Sequence, residues 1–219
     1  MAHIKMAQLN HSNHSLAMGT LGQVIETNHT GIVQLSLGQV EAAYTSFGQG
    51  LFLLQSLQIP AEIFSPRQTM GCQSSCPVRL RLLTDMYTNT PSDDQLCQID
   101  IPADEASHPT VEFIALCSAA MVYNCAIACE HWAAAAQRDE CAAWNTKSVL
   151  LFRKSLEIFH LATGKYDCSS LIASAVREMA GVLYELGDWQ ASQSILNELF
   201  QKIIHQLSKL EVVLTASAA

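Results

Sequence analysis

The chain has 219 residues, 49% of them apolar and 15% charged, with a formal net charge of −8. That length supports one or two domains with a substantial core, and the ordinary Gly and Pro content argues for a folded chain. The acidic balance excludes nucleic acid as a natural partner, because neutralising phosphates takes clustered Lys and Arg. So few charges fit either a surface buried against a partner or a surface made polar by Ser, Thr and Gln.

In chain order, residues 1–20 come first as a polar arm. They contain His11, Asn13 and His14 and show weak periodicity, as a short helix or a flexible segment would. They lack the apolar core of a signal peptide and the arginines of a mitochondrial presequence, so the expected location is cytoplasmic or nuclear. The Asn-x-Ser/Thr sequons at Asn10, Asn13 and Asn28 are chance matches in a chain that is never secreted.

Residues 21–59 read as a first helical hairpin. Leu21 to Leu37 carries helical periodicity, and Gly38 suits a left-handed C-cap. Val40 to about Leu57 returns, with Ala43, Phe47, Gly50, Leu51 and Leu54 on one face. Pro60 closes it.

Residues 60–109 form an irregular, acidic insert holding all six prolines of the chain. Asn89 to Asp94 reads as a turn, and Val78 to Leu83 as a short strand or a helical turn. A stretch this long without regular structure is expected to be more mobile than the helices, or functional. No Lys or Arg occurs from Leu82 to Gln137, so this centre is either a solvated acidic loop or an attractor for a basic partner.

Residues 110–215 supply a second and a third hairpin. Val111 to about Ala136 is a helix rich in Ala and Cys, whose uncharged run Phe113–Cys129 is marginal for crossing a bilayer and fits a buried helix better than a membrane span. Gln137 to Cys141 is a polar connector. A helix from Ala142 or Lys147 to Ala162 is stopped by Gly164, and Ser169 to Leu186 follows. Asp188 then caps a last helix reaching about Leu214, with a stripe of Ile195, Leu196, Leu199, Phe200, Ile203, Leu207 and Leu210. Ile204, Val212 and Val213 add apolar surface on its reverse edge. A terminal helix that is apolar on more than one face predicts an interface there.

Chemistry-bearing patterns are sparse. Cys72-x-x-x-Cys76 has a spacing zinc accepts, but only Cys97 and His108 stand nearby as further ligands, so two loop thiols is the plainer reading. Cys117, Cys125 and Cys129 lie in apolar helix and read as packing groups. No nucleophile–base pattern, P-loop or Gly-rich nucleotide loop occurs, so an enzyme, a metal site and a cofactor are not expected.

A repeated signature is the strongest pattern. Leu37-Gly38-Gln39-Val40-Glu41-Ala42-Ala43 and Leu186-Gly187-Asp188-Trp189-Gln190-Ala191-Ser192 each put a turn glycine before small and then bulky residues. Gly31 and Ala180 lie seven residues before those glycines. These residues resemble the tetratricopeptide repeat family. Gly31, Gly38, Ala43, Phe47 and Gly50 match in the first unit, and Ala180, Gly187, Ser192 and Leu196 in the last. The middle unit is looser: Asn124-Cys125-Ala126 resembles its first helix, and Ser155, Phe159 and Ala162 its second, without a turn glycine and with a longer connection. The order of a first pair, a long insert ending near Ile99-Asp100-Ile101-Pro102 and two further pairs resembles diatom-type divergent members.

The resemblance implies an all-α fold, three antiparallel helical hairpins in an α-solenoid, and a protein-binding scaffold without catalytic residues. Aligning the units on Gly31, Ala126 and Ala180 places Asn28, Ile32 and Leu35, then Tyr123, Ile127, Glu130 and His131, then Arg177, Tyr184 and Glu185 on a concave wall. That wall is expected either to hold a peptide, with Tyr and Arg as anchors, or to face solvent. It lacks the several Lys and Asn residues that clamp a terminal carboxylate in chaperone-binding members. The resulting expectation is a non-catalytic interaction module for a protein or peptide. The alternatives are a structural subunit of a larger assembly and, behind it, a thiol-based redox or metal-binding protein.

Overall fold

A computed structural model describes residues 2–57, 81–84, 95–99, 109–163 and 165–202, the side chains of 2–18, 81–84, 95, 138 and 139 excepted. The chain is predominantly helical. Its elements in order are α1 (Ala2–Ser36), α2 (Val40–Ser56), β1 (Arg81–Thr84), β2 (Gln95–Gln98), α3 (Val111–Ala135), α4 (Arg138–Ala162) and α5 (Ser169–Glu185). A further helix, α6, runs over 189–202. Cys72, Cys76, Ile204, Val212 and Val213, for which a loop role and an interface were expected, lie outside the described residues.

Successive helices pack on one another: α1 on α2, α2 on α3, α3 on α4 and α4 on α5. The two glycine turns share one geometry. Gly38 has φ of 74° and Gly187 φ of 81°. In the first turn the Gly38 N–H donates to Leu35 O and the Gln39 N–H to Gln34 O, both at 2.9 Å. In the second, the Gly187 N–H donates to Tyr184 O at 3.0 Å and the Asp188 N–H to Leu183 O at 2.9 Å. Both are Schellman closures, which satisfy the last carbonyls of a helix and require a residue at positive φ. Asp188 then accepts from the Ala191 N–H at 3.1 Å and caps α6.

The middle connection departs from the expectation. It is short rather than long: Ala136 and Gln137 alone separate α3 from α4, so α4 begins at Arg138 and the polar stretch 138–141 is its first turn. Ala136 (φ −81°, ψ 159°) and Gln137 (φ −70°, ψ 158°) are both extended, a conformation open to any L-residue, so the turn needs no glycine. Two hydroxyls hold this crossing. Ser148 Oγ donates to Ala126 O at 3.1 Å and Ser155 Oγ to Ala119 O at 2.9 Å. The later donor meets the earlier acceptor, so α3 and α4 run antiparallel. Ser192 Oγ makes the same kind of bond to Ala180 O, at 2.8 Å, between α5 and α6.

The start of the chain also differs. Residues 2–20 are not a separate arm; they continue into α1 as one helix of 35 residues. Nothing from Ala2 to Ser36 is a proline, and Asn, Ser and His each cost only tenths of a kcal/mol in a helix, so a helix anchored by its packed C-terminal half propagates.

The core is centred on α3. Phe113, Leu116, Cys117, Ala119, Ala120, Met121, Tyr123, Ala126, Ile127, Ala128 and Cys129 are all buried around its circumference. A helix apolar on every side needs neighbours on every side. α2, α4 and β2 supply them. Among the described residues α3 alone is long and apolar enough to cross a membrane, and 78% of its most apolar window is buried inside the fold.

The strands pair antiparallel with Arg81 opposite Gln98, Leu82 opposite Cys97, Leu83 opposite Leu96 and Thr84 opposite Gln95. They belong to the expected insert, and β2 is not detached from the helices. Cys97 and Ile99 are buried in the core, and β2 packs on both α1 and α3.

Candidate functional site

The residues expected to line an open groove divide in two. Asn28, Ile32 and Leu35 on α1 and Tyr123 and Ile127 on α3 are buried, so they do not form a wall open to a partner. Strand β2 of the same chain lies over Asn28 and Asn124, and Tyr123 packs on Phe152 of α4. Arg177, Tyr184 and Glu185 on α5 are exposed, and Glu130 and His131 on α3 are half-buried.

Two carboxamides grip the strand. The Cys97 N–H donates to Asn124 Oδ1 at 2.8 Å, and Asn124 Nδ2 donates to Cys97 O at 2.9 Å. Asn28 Nδ2 donates to the same carbonyl at 3.1 Å, and Asn124 Nδ2 also reaches Asn28 Oδ1 at 2.9 Å. In an extended strand the N–H and C=O of one residue point the same way, so one carboxamide answers both, as a neighbouring strand would. The Cys97 amide edge therefore faces the helices, and Leu82–Cys97 is a pair of the ribbon that shares no backbone hydrogen bonds. Both lone pairs of the Cys97 carbonyl are used. Leaving any of these groups unpaired at such burial would cost on the order of 1–3 kcal/mol.

The thiols around this site are chemically quiet. Burial pushes the Cys97 thiol far up, with a smaller contribution from Cys168. Burial likewise raises Cys125 to about 12, and Cys129 and Cys168 to about 11 each. A nucleophilic cysteine needs the thiolate, which burial in these surroundings disfavours. Cys97 itself is buried in the core. Among the described residues no group of three His, Cys, Asp or Glu side chains converges on a metal-sized site.

Tyr123, beside Asn124, packs edge-on against Phe152 with ring centroids 5.5 Å apart. Its hydroxyl is the one buried side-chain polar atom among the described residues that lacks a hydrogen-bond partner. Burial holds its pKa well above the usual phenol range, reinforced by Glu178 and then Cys97 and Glu130 and opposed by Arg177. Glu130 Oε1 lies 3.2 Å from Ser148 Oγ, where it shares that hydroxyl's single proton with Ala126 O, and Glu185 accepts from buried Asn145 at 3.2 Å across α4 and α5.

Two aromatic clusters complete the candidate surfaces. Trp132 stacks on Trp144 at 4.3 Å and meets Tyr44 at 5.5 Å, joining α2, α3 and α4. Lys147 Nζ lies 4.5 Å from the Tyr44 ring centre and 4.7 Å from that of Trp144, filling the cluster with its own cation. The second cluster is open. Tyr184 stacks on Trp189 with centroids 6.1 Å apart, at 63% and 65% exposure. Leu196 (41%) and Phe200 (62%) follow at helical spacing along α6. The sequence stripe included Leu196 and Phe200; Trp189 extends it, and the turn at Gly187 brings Tyr184 alongside.

No family model, curated protein or solved structure matches the chain.

Proposed function

We propose that this chain is a non-catalytic helical-repeat module of tetratricopeptide type that binds a protein or peptide partner, with α5 and α6 as the contact surface. The observation that carries the reading is the exposed line of Tyr184, Trp189, Leu196 and Phe200. Solvent-facing aromatics in a row are costly to leave wet, and Tyr and Trp are the residues that anchor protein interfaces. Exposed Glu185 and Asp188 flank the Tyr184–Trp189 stack, which suits an apolar partner segment with basic neighbours. Further support for the repeat reading comes from the matched Schellman turns at Gly38 and Gly187 and the hydroxyl-to-carbonyl bonds at the helix crossings.

Affinity capture from the native cell tests this. Wild-type protein should retain a partner that Trp189→Asp/Phe200→Asp loses, while charge reversal of the exposed Lys154–Glu157 pair has no effect. The same stripe also serves the second reading, a structural subunit. Light scattering of the pure chain separates the two, because a module is a monomer and an assembly subunit self-associates.

A further inference from the structure

The Asn28–Asn124 slot recognises main-chain atoms. Every hydrogen bond it makes to β2 goes to the N–H or C=O of Cys97, none to a side chain. Such a slot accepts any extended segment whose inward side chains fit. The fit is set by Cys97 and Ile99, two residues apart and both buried, whereas Leu96 and Gln98 are only half-buried. The pattern admitted is a small apolar residue, any residue, then a β-branched aliphatic. The slot walls are held independently of the strand: α1 packs on α2, and α3 packs on α2 and α4.

We propose that residues 95–99 are a replaceable cis occupant of a strand-binding slot, and that its trans ligand is an extended peptide of small-x-β-branched pattern from a partner protein. The strand is then an autoinhibitory plug, and the partner displaces it. The proposal rests on the reading of the chain as an interaction module but uses a different surface from the α5–α6 stripe. Its ligand meets main chain through hydrogen bonds, the mode of strand addition, with Asn124 in the role of the sheet edge.

The test uses the full chain and a fluorescein-labelled synthetic peptide covering residues 93–103 with Cys97→Ala. In the protein, Cys97→Pro removes the N–H that Asn124 accepts and weakens the plug. Fluorescence polarisation should show at least tenfold tighter peptide binding to Cys97→Pro than to wild type, and loss of that gain in Cys97→Pro/Asn124→Ala. Equal binding to wild type and Cys97→Pro, or no binding to a folded Cys97→Pro, overturns the proposal. If Cys97→Pro fails to fold, hydrogen exchange of the wild type decides. The Cys97 amide should exchange at least tenfold faster than the amides of Tyr123 to Ile127, and equal protection means the strand leaves only on global unfolding, which overturns it too. Partner capture through Trp189 and Phe200 is read separately, so loss of the plug proposal leaves the module reading standing, and the reverse.

Discussion

The ring of Phe47 lies where a side chain on Gly31 would begin. A Cβ built at Gly31 would meet Phe47 Cε1, with Cδ1 at 2.7 Å and Cζ at 2.9 Å. Phe47 is buried and has no free rotamer space to withdraw into. Gly31→Ala should therefore lower stability by about 1–3 kcal/mol in urea unfolding. Gly22→Ala, where nothing lies within 4 Å, should be neutral or stabilise by up to about 1 kcal/mol through helix propensity. Equal effects at the two sites would show that the α1–α2 crossing is not this close.

At the turns the constraint is backbone rather than space. Gly38 and Gly187 each have open surroundings but positive φ. Alanine at either position should cost about 1–2 kcal/mol, and the costs should add because the turns share no partner. Thermal melts of the single and double variants check this.

Asn124 carries more of the strand's anchoring than Asn28 does. Asn124→Ala strands the Cys97 N–H and the Asn28 Oδ1 and should cost on the order of 2–4 kcal/mol. Asn28→Ala leaves Asn124 paired with both Cys97 groups and should cost about half as much. Chemical denaturation of both variants gives the ratio.

The buried thiols set an alkaline limit. Their folded pKa values lie above the ordinary 9.0, at about 12 for Cys125 and about 11 for Cys129. Above pH 9 the unfolded chain releases protons that the folded chain keeps, so stability is level below about pH 8 and falls from 9 toward 11–12. The loss by pH 11 should be on the order of 1–3 kcal/mol per thiol. Cys125→Ala/Cys129→Ala should flatten that slope in melts recorded from pH 7 to 11, and an unchanged slope would place its origin elsewhere.

What the sequence revealed is what local chemistry encodes. A glycine at positive φ marks its own turn, so Gly38 and Gly187 were legible, as were α3 from its uncharged run and the cap at Asp188. The middle turn was hidden because Ala136 and Gln137 are extended, and no residue type announces that. The continuity of α1 through a polar stretch depends on packing further along the helix. The occupied slot was the least legible feature. It joins Asn28, Cys97 and Asn124, which lie 69 and 27 residues apart along the chain. Aligning helices placed Asn28 and Tyr123 on one wall, but nothing local says that a strand from the insert lies over it.

The buried Asn28 also begins the tripeptide Asn28-His29-Thr30, the acceptor pattern for N-linked sugar. In the finished fold its amide is sealed and bonded to Cys97 O, out of an enzyme's reach. During synthesis the order of events is different, because Asn28 is complete long before residue 97 emerges. A chain made in a glycosylating compartment would carry a glycan at the spot where β2 must settle, and the core could not close over it. Production in a host that attaches no sugar, or with Thr30→Ala in one that does, is the route that leaves this amide bare for the strand.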